Sequence, residues 1–421
     1  MMTRSLVLNS GTHPEPIYWA SVLARSSDHC LYATSTSWAY DSRLMRIARA
    51  ATSLGDPLSR HVLRRSLPAS ATGFRVVGRA RTLAAYEQFR SRSSSDSDAL
   101  VAARMSRFRA TTRRLSDRLR PELIIGQYTS ALGGFQAAPQ ARKVLLYPIA
   151  HHDWMVDAFA SEAEANPGWK PFLQGAALSV ERRSVLEAEI SHATDIVVPS
   201  TFAKRTFVEA GVESGRVHVM SLGASMDHEV AASLRAASSH KLKRRGPLRV
   251  LFAGQVNQRK GISYLLDAAA MLGKAAVSLQ VAGPCSPSMR RFIEQRYDFV
   301  DFLGTMPRAT LMARMADADL LVLPSLAEGF GLVGIEAMLV GTPAIVSEET
   351  FAGDVVTDNH DGWIVPSRSS SELASIMWRL FEDRTILEGV GAAAAETASR
   401  FTWGRYEDEI AAFLDTACSN G

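Results

Sequence analysis

The chain has 421 residues, 47% apolar and 21% charged, which is enough for two domains with separate cores and excludes a disordered or fibrous protein. Its three cysteines, Cys30, Cys285 and Cys418, form no C-x-x-C pair, which argues against a disulfide framework or a structural zinc site and fits a reducing cytosol. The net charge of +4 hides an asymmetry: residues 1–120 hold 20 Arg, no Lys and 8 acidic residues, a local +12 that leaves −8 for the remainder.

The opening MMTRSLVLNSG has too short an apolar run for a signal peptide and reads as a first strand that turns at Asn9, Ser10 and Gly11. No apolar stretch approaches the roughly 18 residues of a membrane span, so the expected location is cytoplasmic, peripheral at the inner membrane face if bound at all. The arginine excess reads either as a solvated surface of biased composition or as a face toward an anionic membrane or a phosphate-bearing acceptor. Nucleic acid is not expected, because no aromatic-interleaved basic motif accompanies the arginines. Residues 91–98, SRSSSDSD, read as an exposed polar loop.

Further strands are expected in ELIIGQY, KVLLYPIA, DIVVPS and VHVMSLG. YPIAHHDW places His151 and His152 near a strand end, where neighbours face opposite sides and at most one would face a cleft. A metal site at His151, His152 and Asp153 is set aside, since consecutive residues seldom converge on one ion. HKLKRRGP (240–247) suits a linker. It divides the chain into domains 1–243 and 244–402, with a last amphipathic helix in 403–421 expected to pack back toward the first domain.

The second half alternates short apolar runs with helical ones: LRVLFAG, VSLQVAG, VDFLG, DLLVLPS, PAIVSEE and GWIVP. Between the first two, Ile262, Leu265, Leu266, Ala269 and Leu272 have the spacing of an amphipathic helix. Alternation of this kind means a parallel sheet covered on both faces. The expected fold is α/β: two Rossmann-like domains facing each other across a cleft, with ligands beyond the carboxyl ends of the strands.

DLLVLPS runs directly into LAEGFGLVGIEAM, so Gly329, Phe330 and Gly331 fall where a strand becomes a helix, a ready seat for phosphate. Glu328 and Glu336 flank that seat. Paired carboxylates also serve hydrolases as acid and base, but FAGQVNQRKGIS brings Arg259 and Lys260 to a second helix start. Glycine turn and cationic turn together describe a diphosphate clamp, with the glutamates reaching past it to hydroxyl groups.

The string PS-x-x-EGFG-x-x-x-x-E, filled by Pro324, Ser325, Glu328, Gly329, Phe330, Gly331 and Glu336, resembles the signature of retaining glycosyltransferases of family 4. VAGP, VDFLG and HDGWIVP extend the resemblance over most of residues 248–415. It implies the GT-B fold and retaining, metal-independent transfer of a sugar from a UDP- or GDP-linked donor to a glycan or lipid-linked acceptor, without cofactor. It also implies that Glu328 binds the donor sugar and Glu336 the ribose, with the backbone of Phe330, Gly331 and Leu332 on the diphosphate beside Gly254 and Ser325. Lys260 matches the family's phosphate-binding lysine. Gln255 stands where the family has arginine, and Arg259 is the expected substitute. Ser10 and Gly11 match the family's glycine loop near the donor phosphate, and one of His151 and His152 matches a histidine that touches the donor sugar. A catalytically silent donor-binding subunit and a nucleotide-sugar 2-epimerase are the alternatives.

Overall fold

A computed structural model describes residues 4–11, 13–26, 29–35, 75–77, 97–173, 178–224, 228–238 and 244–418. The N-terminal sheet contains β1 (Ser5–Asn9), β2 (Cys30–Thr34), β3 (Arg75–Val77), β4 (Leu123–Gln127), β5 (Arg142–Leu146), β6 (Asp195–Val198) and β7 (Val217–Val219). They lie in the order β3-β2-β1-β4-β5-β6-β7, every pair parallel. The C-terminal sheet contains β8 (Leu248–Ala253), β9 (Val277–Ala282), β10 (Val300–Gly304), β11 (Leu320–Leu323), β12 (Ala344–Ser347) and β13 (Trp363–Val365), ordered β10-β9-β8-β11-β12-β13 and also all parallel.

Both sheets are doubly wound. Winding reverses between β1 and β4 in one and between β8 and β11 in the other, and the crevice at such a reversal is where open α/β sheets bind ligands. The central strands are buried on both faces, as helix-covered parallel strands must be.

Two expectations need correction. The loop expected at 91–98 already holds the start of helix Ser97–Leu119, while 91–96 lie outside the described residues. The helix His228–Ala237, upstream of the expected boundary, packs on the C-terminal domain: Arg235 donates to the Leu339 carbonyl, and the helix lies against helix Arg308–Asp317. Only part of the expected linker, residues 244–247, is described.

Helix Trp403–Cys418 returns to the N-terminal domain and lies against helix Glu15–Ser26. Trp403 stacks on Tyr18 with ring centroids 4.1 Å apart, Trp19 donates its indole N–H to the Tyr406 hydroxyl at 3.2 Å, and Arg25 pairs with Glu407 at 2.5 Å. At the crossing, Ala224 forms a parallel bridge with Thr402 and donates to the Phe401 carbonyl at 2.9 Å. One apolar cluster runs from Val7 and Trp19 through Leu321 and Phe351 to Tyr406 and Ile410, so both domains share it. Among the described residues no helix is long and apolar enough to cross a membrane.

Candidate functional site

β11 ends at Leu323, and Pro324–Gly331 lead into helix Leu332–Leu339. Gly331 caps that helix with φ 86°, a left-handed conformation that glycine adopts without strain. Its neighbour Gly329 is required for a different reason. A Cβ there would lie 1.7 Å from the Pro148 carbonyl oxygen of the N-terminal domain, and Ser200 donates to the Gly329 carbonyl at 2.7 Å. The loop is therefore clasped by the opposite domain.

The cationic turn reaches the same place from β8. Gln258–Lys260 form one 3-10 turn capped by Asn257, and Gly261, at φ 66°, packs so closely on Pro324 that a Cβ would lie 1.7 Å from its carbonyl oxygen. Leu326 N–H donates to the Arg259 carbonyl at 2.8 Å, while the Arg259 guanidinium donates to the Ala327 carbonyl at 2.8 Å and lies 3.4 Å from the Glu328 carboxylate. Lys260 pairs directly with the same carboxylate. Burial, and then Arg259, hold the Lys260 ammonium down at about 7. Gly254 lies beside the Lys260 stem, at ordinary contact distance: a Cβ there would be 4.0 Å from Lys260 Cε.

In the structure Glu328 pairs with both cations, as two half-buried positive charges side by side require a counter-charge. Glu336, nearly buried, pairs with Arg308 at 2.6 Å. Burial raises its pKa and Arg308 opposes the rise. Gln255 is exposed, whereas Arg259 is half-buried against the glycine loop. Arg259, Lys260, Ser325, Glu328, Gly329, Phe330, Gly331, Leu332 and Glu336 thus fall on two adjoining turns and one helix.

His151 and His152 are not strand residues, since β5 ends at Leu146. His151 caps helix His152–Ala165 and the two rings stack at 4.2 Å, so the argument from strand alternation does not apply. The His151 N–H donates to Thr206 at 2.9 Å, and the Tyr147 hydroxyl lies 3.3 Å from His152 Nδ1. Burial lowers both pKa values, that of His151 to about 4, so His151 is neutral at pH 7. Contrary to the spacing argument, ligand atoms of His151, His152 and Asp153 do converge, within 4.8 Å of one another, although Asp153 is held by Arg183 at 2.5 Å. The segment is close to the glycine loop, because Pro148 and Ile149 are what Gly329 touches.

Ser10 and Gly11 line a cavity of about 380 Å³ at the β1/β4 reversal. It is lined entirely by the N-terminal domain, including Tyr128, Ser130, Arg104, Arg109 and Arg182. Ser10 Oγ lies 2.6 Å from Ser130 Oγ. Tyr128 of this lining and Arg259 of the cationic turn act on each other's charge: burial raises the Tyr128 pKa and Arg259 is among the groups that oppose the rise.

Sequence reasoning also missed Glu162, which is buried and ties the domains together. It accepts from Gln258 at 2.7 Å, Tyr264 at 2.8 Å, Asn166 at 2.9 Å and Arg368 at 3.1 Å. A buried acid on an otherwise amphipathic helix is the signal that would have found it.

Two doubly wound parallel domains, with a cationic turn and a glycine-led helix at the switch point of one, define the GT-B class. Residues 235–397 match the model of the family "Glycosyl transferases group 1". A D-inositol 3-phosphate glycosyltransferase of Streptomyces bingchenggensis is 30% identical over 242 residues, 53% of each chain. The chain spans about half the length of the curated relatives it matches. The crystal structure of Anabaena HepE with UDP and glucose (TM-score 0.61, 19% identity, 98% of this chain and 100% of that one) and the solved structure of Thermosynechococcus elongatus sucrose-phosphate synthase (0.66, 20%, all of both chains) share the fold.

Proposed function

We propose that the protein transfers a sugar from a nucleotide-diphosphate donor to an acceptor hydroxyl with retention of configuration, using no metal. The observation that carries this reading is the meeting of Arg259 and Lys260 with the Pro324–Gly331 loop: both cations reach Glu328 in the loop that leads into helix Leu332–Leu339. A diphosphate arriving there takes over the counter-charge that Glu328 now supplies and releases Glu328 to the sugar hydroxyls. Glu336, with Arg308 beside it, is placed for the ribose.

The bond from the sugar carbon to the leaving phosphate oxygen breaks as positive charge builds on the sugar ring. The acceptor oxygen then bonds to that carbon on the same face, and its proton passes to the leaving phosphate. Preorganised donors aimed at the growing negative charge lower the barrier, each by about 3–4 kcal/mol. The adjoining cavity of Ser10 and Gly11 receives the acceptor, a glycan or a lipid-linked molecule. Helix Ser97–Leu119, with Arg107, Arg114 and Arg118 exposed along one side, faces an anionic membrane surface. Binding to anionic vesicles that fails even at low ionic strength would remove that part of the reading.

Lys260→Ala and Glu336→Ala are each expected to lower donor turnover at least a hundredfold, with chelator leaving the parent unchanged. Full activity in both variants would overturn the assignment. Abolition by chelator would move the chemistry to His151, His152 and Asp153. A screen of UDP and GDP sugars for thermal stabilisation identifies the base, since a ligand at 100 times its Kd adds about 2.7 kcal/mol. Donor bound but never consumed would identify a silent subunit, and an isomerised sugar from donor alone an epimerase.

A further inference from the structure

The glycine loop of the C-terminal domain meets helix Thr201–Glu209 of the N-terminal domain through one fully buried hydroxyl. Ser200 caps that helix, accepting from the Ala203 N–H at 3.2 Å, and donates its own proton to the Gly329 carbonyl at 2.7 Å. Capping and donation together fix the orientation of the hydroxyl. Next to it, Thr201 donates its N–H at 3.0 Å and its hydroxyl at 3.1 Å to the Asp354 carboxylate, which seats the start of the helix on the C-terminal domain.

A planar trans peptide points its C=O and its N–H in opposite directions. The bond that holds the Gly329 carbonyl toward Ser200 therefore also sets the direction of the Phe330 N–H, which faces away from Ser200. Phe330 is buried, and among the described residues no group accepts from that N–H. A buried N–H seldom goes unpaired, so this one calls for an acceptor supplied from outside the chain. The loop also needs an external hold. Gly329 has no room for a side chain beside the Pro148 carbonyl, and glycine leaves the flanking peptide units freer to rotate than any other residue does. A carbonyl that accepts a hydrogen bond, moreover, makes the N–H of its own peptide a stronger donor.

We infer that Ser200 is a positioning residue for the donor: acting through the Gly329–Phe330 peptide, it aims the Phe330 N–H at the leaving diphosphate, although it belongs to the opposite domain. The inference rests on the transferase reading, in which this loop receives the diphosphate. Its consequence is a division of labour along the donor. The grip on phosphate is complete only while Ser200 lies against the loop, whereas the nucleoside end, assigned to Glu336, does not depend on that hydroxyl.

The test measures binding of UDP and GDP, and of uridine and guanosine, to the full chain. The parent is expected to bind one of the diphosphates at least a hundredfold more tightly than its nucleoside. Ser200→Ala is expected to lower that ratio at least tenfold while nucleoside affinity stays within twofold of the parent. Ser200→Cys, close in size but a weak donor, is expected to do the same and serves if the alanine variant does not fold. Ser200→Thr keeps the hydroxyl and is expected to hold the ratio within threefold of the parent. Thr201→Val removes a neighbouring bond to Asp354, leaves Ser200 in place, and is expected to keep the ratio. A ratio unchanged in Ser200→Ala and Ser200→Cys, a parallel loss of diphosphate and nucleoside, or an equal loss in Thr201→Val would overturn the role of Ser200 alone. Failure of the parent to bind either diphosphate would overturn the transferase reading, and this inference with it.

Discussion

Burial and the guanidinium of Arg259 keep Lys260 close to half-protonated at neutral pH, near about 7, with Glu328 in contact pulling the other way. A diphosphate beside Lys260 favours its charged form, so donor binding raises that pKa and takes up a proton. The sign follows: apparent donor affinity is full below about pH 7 and weakens as pH rises above it, by up to tenfold per unit. Calorimetry at pH 8 in two buffers of different ionisation enthalpy is expected to report uptake of up to one proton in the parent and none in Lys260→Met. Equal uptake in both would place the titrating group elsewhere. His151, neutral from about pH 4 upward, contributes nothing to this profile.

At the level of elements, the cationic turn is only as well placed as the helix that carries Glu162. Gln258 opens the turn and Glu162 holds it, while Arg368 and Tyr264 hold Glu162 from the C-terminal side. Glu162→Gln keeps the shape but removes the charge that balances Arg368. Breaking one partner of a buried pair costs about 3–5 kcal/mol, and the lower end applies here because Arg368 is part-exposed. The expected outcome is a destabilisation of about 3 kcal/mol in denaturant unfolding together with weaker donor binding; unchanged stability would show that the network is idle. The helix pattern could have flagged Glu162 but not its partners, since Glu162 and Arg368 stand 206 positions apart and such a pair leaves no local pattern. The RKG turn and the EGFG string were legible because each is a short continuous segment at a strand end, as were the six strands of the C-terminal sheet. β2 and β3 were not: CLYAT offers no alternation, and RVV is three residues long in an arginine-rich stretch. The two histidines were misread because β5 stops five residues before them, and Arg109 and Arg182, on different helices, converge only in three dimensions.

For the whole molecule, the final helix is a structural member of the first domain although it lies last in the chain. Tyr406 is fully buried against Trp19 and Trp403. Tyr406→Ala is expected to cost about 3–5 kcal/mol, as large buried aromatics do, whereas Tyr406→Phe should cost only about 1 kcal/mol, the worth of the hydrogen bond from Trp19. Equal costs for the two in denaturant unfolding would mean that the helix is held by its hydroxyl and not by its rings.

Because that helix returns, the polypeptide passes between the domains twice, and the bridge of Ala224 to Thr402 laces the two passages together. Gly223 makes the lacing tight: a Cβ there would lie 2.3 Å from the Trp403 nitrogen. With the Glu162 network and the Ser200–Gly329 hydrogen bond as further ties, the crossing leaves the domains no room to slide, much as a rivet holds the blades of shears. The Phe330 ring of the glycine loop lies 6.3 Å from that of Phe401, one residue from the rivet. The glycine loop is thus anchored beside the crossing, where relative displacement of two riveted bodies is smallest.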